Sequence, residues 1–421
     1  MTAEMIAVMD RYAEAEEIAR RLLTAPPDDP YPLYDRLREI DPVHRTSFDG
    51  LWTLTTYEHI HKALRDSRFI RVPDDLLRRQ FGGPIDESRP FIKSRRRWYN
   101  QGNPPEYTRR RALYGKAFTR FSINGLRPVI AEAANRLLDR ALEGGRELEV
   151  VHQFGYELTV GLICHVLGLP APKPGGSSEF IGWFRAYSAT FDPLCTEEML
   201  ARADQAVLEL NDFMRDHIEE VRRHPGANLI SRLIAAEHEG ERLSDDVVAA
   251  NVVLVFNAGV STTTNLIANS VFDLLLNADQ WRLLAANPEA LAENAVEEIL
   301  RYDTSVMTNP PNRVAARDVQ LSGVTIPAGE VVTPFFGAGN HDPARYENPH
   351  RLDITRPDIR PLSFGGGPHV CLGQHLARVE TEVALAVFAR RFPQMELLDR
   401  APKRRAGITN RGFEALPVRL T

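Results

Sequence analysis

Apolar residues recur at i, i+3 and i+4 through most of the middle of the chain. Leu126–Leu142, Phe154–Leu167, Thr196–His224, Asp245–Leu276 and Pro288–Tyr302 all carry this period, which predicts helices. Leu372–Arg391 repeats it near the end. Gly144-Gly145, Pro170–Gly176 and Asn277–Asn287 interrupt the pattern and read as loops. Over Arg313–Phe336 the period changes to two. Val319, Leu321, Val324 and Ile326 alternate with other residues, Pro327-Ala-Gly329 reads as a turn, and Val331 resumes the run, which predicts a hairpin. Leu51–Thr56 alternates after Asp49-Gly50 and reads as a strand. At the start, an amphipathic stretch ends at Pro26–Pro32, where each proline removes a donor and restricts the residue before it. Leu33–Ile40 is a short helical pattern. Phe69–Asn103 has no clean period, and a loop of that length is usually functional or mobile. Helices dominate, with small sheets at both ends. No βα alternation is present, which argues against a doubly wound sheet or a TIM-type barrel.

Composition narrows the class. The chain has 421 residues, 43% hydrophobic and 26% charged, which excludes bulk disorder and leaves room to enclose a cofactor. Length alone would suggest two or three domains. Lys+Arg 51 against Asp+Glu 57 leaves −6, so no nucleic-acid partner is expected. No run approaches about 18 apolar residues, so no membrane span is expected. Glu4, Asp10, Glu14, Glu16 and Glu17 do not fit a secretory signal. Cys164, Cys195 and Cys371 cannot form a disulfide framework, and a reducing cytoplasm fits.

The most informative stretch is Phe364-Gly-Gly-Gly-Pro-His-Val-Cys371-Leu-Gly373. Glycines let backbone approach a flat ligand or a sulfur closely. A cysteine at a helix start meets unpaired N–H groups and the positive end of the helix dipole, which favour a thiolate. Three other readings compete. The cysteine could simply be buried in a glycine turn. His369, Cys371 and His375 could bind a metal, but a fourth ligand is missing. A phosphate loop would need Gly-Lys-Ser/Thr after the glycines. For a lone cysteine the buried turn carries the greater weight, and the surrounding pattern reverses that.

Phe364, Gly367, His369, Cys371 and Gly373 form Phe-x-x-Gly-x-His-x-Cys-x-Gly, which resembles the haem-binding loop of the cytochrome P450 superfamily. The resemblance implies haem b as cofactor and Cys371 as the axial thiolate of its iron, a ligand that favours O–O cleavage. It implies that Phe364 shields the sulfur and that His369 contacts a haem propionate. Glu298-Ile-Leu-Arg301 could be a surface pair of small worth. At this distance from the loop it is similar to the family's structural Glu-x-x-Arg signature, whose third member would be Arg345, Arg351 or Arg356. Arg313, at the start of the predicted hairpin, reads either as an exposed strand end or, by resemblance, as a propionate ligand. Pro104–Arg111 resembles the family helix that adds propionate contacts. Arg111 matches, and Tyr107 stands where histidine is usual. A phenol can donate one hydrogen bond to a propionate but brings no positive charge.

The predicted helix Asp245–Leu276 contains Ala258-Gly259-Val-Ser-Thr262, small and hydroxyl residues that weaken and bend a helix interior. A packing kink is one reading. The other is the family's distal oxygen-activating helix, matched by Ala258, Gly259 and Thr262. Ser261 holds the position usually taken by an acid, so proton delivery would fall to Thr262, Ser261, water or the substrate. The resemblance covers Pro27–Leu420. It implies a mainly α, helix-rich P450 fold with small β-sheets, in which 1–24 is a helical extension and 25–421 a single haem-binding catalytic domain. Met307–Asn312 is longer than usual.

The implied function is a haem-thiolate monooxygenase. It would insert one atom of O2 into a small organic molecule, plausibly in secondary-metabolite tailoring. Electrons would come from NAD(P)H through a separate ferredoxin and reductase, since no flavin or iron–sulfur motif is fused to the chain. The implied pocket comprises Phe256, Asn257, Ala258, Val260 and Ser261, then Val306, Met307, Thr308 and Asn309, then Thr409 and Asn410. Phe69–Asn103 would be the lid. Its run Arg95-Arg96-Arg97 fits a solvated face, an acidic electron-transfer partner or an anionic substrate. Peroxide-driven or non-hydroxylating chemistry (coupling, nitration, ring formation) and a catalytically altered binding protein remain alternatives.

Overall fold

The computed structural model describes residues 3–72, 85–173, 179–191, 195–238, 241–308 and 313–421. Its axis is the helix Asp245–Leu276, capped by Ser244, whose side chain accepts from the Val247 N–H. This helix is apolar nearly all round, as a helix enclosed by others must be. Glu157–Leu167, Glu197–Arg223, Pro288–Tyr302 and Gln374–Arg391 pack around it. Each falls where the apolar period predicts a helix. Thr196 caps Glu197–Arg223 by accepting from the Met199 N–H.

The helix continues through Ala258–Thr262, the stretch of small and hydroxyl residues, without a break. Thr262 donates its hydroxyl to the Ala258 carbonyl at 2.8 Å, so the hydroxyl folds back onto its own helix. Two expected loops also contain helices. Ala278–Ala286 buries Trp281 and Leu284 between the flanking asparagines. Pro90–Arg96 buries Phe91 and Ile92 inside the expected lid. The remainder of that lid over 73–84 lies outside the described residues.

A five-stranded sheet forms in the spatial order Val43–Arg45, Leu51–Leu54, Val331–Pro334, Arg313–Ala315, Phe69–Ile70. Val331–Pro334 runs parallel to Leu51–Leu54, and the other pairs are antiparallel. The predicted hairpin is therefore corrected. Val319–Leu321 pairs with Val324–Ile326 through Ser322-Gly323, both at positive φ (46° and 81°), while Pro327–Gly329 does turn, with the Glu330 N–H donating to the Pro327 carbonyl at 3.2 Å, but connects this hairpin to the larger sheet. Positive φ at both central residues is what a tight hairpin turn demands.

The N-terminal helix Ala3–Thr24 packs Ala15, Ile18, Ala19 and Leu22 onto Tyr34, Leu37, Met307, Phe335 and Ala338. Glu16 fixes its angle by accepting from the Ser47 N–H at 2.9 Å and the Ser47 hydroxyl at 2.6 Å. Two helical segments, Val150–Leu167 and Asp245–Leu276, are long and apolar enough to cross a membrane, against the expectation of none. Their most apolar windows are 67% and 72% buried inside the protein. Interior burial accounts for their composition.

Candidate cofactor and active site

Cys371 sits at the end of a closed loop. Its N–H donates to the Phe364 carbonyl at 2.9 Å, and Gly365 and Gly367 take positive φ of 68° and 63°. A Cβ on Gly367 would lie 2.3 Å from the Leu64 carbonyl oxygen, so no larger residue fits there. Phe364 is roofed by the Arg378 guanidinium, 4.4 Å from the ring centre. The helix Gln374–Arg391 starts directly afterwards.

Contrary to the sequence expectation, the Cys371 thiol has a raised pKa. Burial raises it, and the Gly373 and Gln374 N–H groups with Arg111 and Arg378 only partly oppose that. Helix-start donors are present as expected, but desolvation outweighs them. The side chain lines a cavity of about 630 Å³. Gly373, Ala258, Gly259, Ser261 and Thr262 face the same cavity. The loop cysteine and the hydroxyl-bearing turn of the axial helix therefore meet in one space. Gly259 lets Ile163 approach, since a Cβ there would stand 3.2 Å from the Ile163 methyl.

A cluster of hydrogen-bond donors, three of them guanidiniums, borders this space. Arg71, Tyr107, Arg111 and His369 line it, with Arg313 buried beside them. Burial pushes Arg71 down to about 10 and Arg313 to about 9, with neighbouring guanidiniums adding to both shifts. Burial and Arg71, Arg313 and Arg111 push His369 down to about 2, so its ring is neutral. Both His369 nitrogens and Arg71 Nε are buried without a hydrogen-bond partner. Among the described residues no carboxylate pairs with Arg71, Arg111 or Arg313. Buried guanidiniums and an unsatisfied imidazole need anions, and two carboxylates on a flat cofactor fit this donor set.

Tyr107 acts differently from the sequence expectation. Its hydroxyl donates to the Pro368 carbonyl at 3.1 Å and accepts from Arg111 at 2.8 Å, so the proton is already used within the protein. Its ring stacks on His369 with centres 4.0 Å apart. Tyr107 thus holds His369 and Arg111 in place.

The pocket residues divide. Asn257, Val306, Thr308, Thr409 and Asn410 line the cavity, as expected. Phe256 turns away and stacks on Phe184 at 3.9 Å. Val260 is buried in the apolar core and does not line the cavity. Met307 packs into the core under the N-terminal helix. An extended segment alternates its side chains, so 306 and 308 face one way and 307 the other. The bridges Val306 to Asn410 and Thr308 to Phe335 enforce this alternation. Asn309 lies outside the described residues. The arginine run also splits: Arg96 pairs with Glu87 at 2.8 Å and Arg97 with Asp246 at 3.0 Å, while Arg95 is buried at the cavity wall over Trp98.

Glu298 and Arg301 are both fully buried, joined by bonds of 2.7 and 2.8 Å. Arg356 supplies the third charge, 3.2 Å from Glu298. Arg345 pairs with Asp358 instead, and Arg351 contributes its carbonyl to Arg301 at 3.2 Å.

Glu380 is a functional candidate missed by the sequence analysis. It is the one carboxylic acid among the described residues lining the cavity, and burial raises its pKa to about 8. The signal was available, since it shares the apolar stripe of Leu376 and Val383. The folded state keeps this proton longer than the unfolded one, whose value is 4.5. This contribution therefore favours the fold below pH 4.5 and turns against it as pH rises towards 8. The expected loss is up to about 1.4 kcal/mol per pH unit. Glu380→Gln should remove it, so the variant gains on the wild type between those pH values in thermal unfolding. Parallel pH profiles would refute the assignment.

Comparison with known proteins agrees with this geometry. The "Cytochrome P450" family profile matches residues 290–406, which include Glu298, Arg301 and Cys371. The biotin biosynthesis cytochrome P450 of Bacillus subtilis is 33% identical over 396 residues, 92% of this chain and 95% of that protein. The 6-deoxyerythronolide B hydroxylase of Saccharopolyspora erythraea is 34% identical over 93% of this chain and 96% of its own length. The crystal structure of P450BioI, in complex with acyl carrier protein ligated to hexadec-9Z-enoic acid, superposes with a TM-score of 0.84. It is 31% identical and covers 95% of this chain and 99% of that one. Loop, cavity and cationic cluster thus agree with similarity along nearly the whole chain, which belongs to the cytochrome P450 family of haem b monooxygenases.

Proposed function

We propose that this monooxygenase inserts one atom of O2 into a small organic substrate, using electrons from NAD(P)H delivered by a separate ferredoxin and its reductase. The observation that carries this reading is the shared cavity of Cys371 and the Ala258–Thr262 turn. Bound haem supplies O2 activation at its iron. Cys371 would ligate its iron, and Arg111, Arg313 and His369 would hold its propionates. Asn257, Val306, Thr308, Thr409 and Asn410 form the substrate wall, where the buried Thr308 Oγ1 and Asn257 Nδ2 lack partners and suit a polar substrate group. The range of relatives, from biotin biosynthesis to 6-deoxyerythronolide B hydroxylation, supports a tailoring role.

Proton handling falls to side chains other than an acid at position 261. Thr262 gives its proton to Ala258 and presents an acceptor oxygen. Ser261 can relay a proton but is not acidic at neutral pH. Ser261→Asp is therefore expected to change the fraction of reducing equivalents recovered in product. An unchanged fraction would remove Ser261 from proton delivery. The reading as a whole is tested by turnover under isotopically labelled O2 with ferredoxin, reductase and NAD(P)H. One labelled oxygen per product supports it. Turnover with H2O2 but none with electron donors would replace it with the peroxide-driven alternative.

A further inference from the structure

Arg71 lies outside every motif singled out in the sequence, and the sheet places it across from Arg313. Phe69–Ile70 pairs antiparallel with Arg313–Ala315, with Ile70 opposite Val314, so the register carries Arg71 to the position opposite Arg313. Like charges directly across a sheet repel. Arg71 is 8% exposed and Arg313 7%, so solvent does little to relieve that repulsion. Among the described residues, Arg71 makes one weak side-chain bond, to the Asn100 carbonyl at 3.3 Å, and its Nε has no partner.

Its backbone is nevertheless held firmly. The Arg71 N–H donates to Asn103 Oδ1 at 2.9 Å, and its carbonyl accepts from Asn103 Nδ2 at 2.9 Å. The Asn103 carbonyl also accepts the Tyr107 N–H at 3.1 Å, in the first turn of the helix that carries Tyr107 and Arg111. One asparagine therefore ties Arg71 to the element bearing the other cationic groups. Such a fixed, unsatisfied guanidinium on the cavity wall is built to meet an anion.

We infer that Arg71 is a third guanidinium for the haem carboxylates, supplying from the sheet edge the charge that Tyr107 does not bring. This rests on the haem site proposed above. The Tyr107 proton is engaged with Pro368, which leaves Arg111 as the cationic donor that this helix presents to the cavity. Two carboxylates then meet three guanidiniums and a neutral imidazole. The surplus positive charge holds the cofactor more tightly and favours reduction of the iron.

The test is haem transfer from the loaded protein to excess apomyoglobin, run in parallel with the same protein reconstituted with haem dimethyl ester. Arg71→Gln should release haem about tenfold faster, the worth of one charge-assisted hydrogen bond. Arg71→Lys, which keeps the charge, should lose much less. With the ester, wild type and Arg71→Gln should release the cofactor at the same rate. The reduction potential of Arg71→Gln should be more negative than that of the wild type. Equal haem release by wild type and Arg71→Gln would overturn the inference. Faster release of both haem and ester would also overturn it, since Arg71 would then act through packing alone. A wild type that holds no haem would fail the haem reading itself, before any variant is compared.

Discussion

Arg301→Met is expected to leave little folded, haem-loaded protein. Arg301 and Glu298 are both fully buried and bonded by two N–H···O contacts. Arg301 also donates to the carbonyls of Asn340, Pro349 and Arg351 at 3.2, 2.7 and 3.2 Å. Glu298 accepts the Asp353 N–H at 3.0 Å. Removing the arginine leaves the buried Glu298 carboxylate with only Arg356 and the Asp353 N–H on one oxygen, and strands three carbonyls as well. Breaking a buried pair in this way costs about 3–5 kcal/mol, against a total stability of about 5–15 kcal/mol for a typical protein. The irregular segment they hold leads to the Cys371 loop, so haem content should fall with stability. Urea unfolding of wild type and variant measures the difference. A loss below about 1 kcal/mol, the range of exposed pairs, would show that the network does not hold the fold. Arg356→Ala should cost less, since its remaining bonds go to exposed carbonyls.

Cys371→Ser is expected to abolish thiolate-ligated haem while sparing the fold. The loop is closed by backbone, through the Cys371 N–H and the Phe364 carbonyl, and serine preserves that bond. Serine cannot supply the soft, electron-donating sulfur that favours O–O cleavage. The reduced, carbon monoxide-bound wild type should show a strongly red-shifted Soret band, and the variant should lack it. Substrate oxygenation should fall to background, and far-ultraviolet circular dichroism should be unchanged. A red-shifted band that survives the substitution would move the axial ligand elsewhere.

Much of the architecture is legible from periodicity. Asp245–Leu276 and Pro288–Tyr302 form helices over the residues their apolar spacing marks. Short elements escaped. Ala278–Ala286 offers one apolar face of two residues between two asparagines, and that signal is too brief to separate from a loop. The hairpin turn was displaced because Pro327-Ala-Gly329 is the more conspicuous turn sequence, while Ser322 adopts positive φ without being glycine. At the site, local motifs placed Cys371, Glu298 and Arg301. Residues contributed by tertiary pairing were not readable. Arg356 was one of three equivalent candidates, and Arg71 gains meaning only from the register opposite Arg313. Tyr107 was readable in position but not in role, because Pro368 competes for its proton.

The alternation at Val306, Met307 and Thr308 has a practical consequence for anyone redesigning specificity. The segment is a partition with two tenants. Its inner side chains, 306 and 308, can be randomised to reshape the chamber, whereas 307 answers to the N-terminal helix behind it. A library that varies all three together would mix changes of selectivity with changes of stability. Trimming the N-terminal helix to improve expression would pull on the same partition from outside.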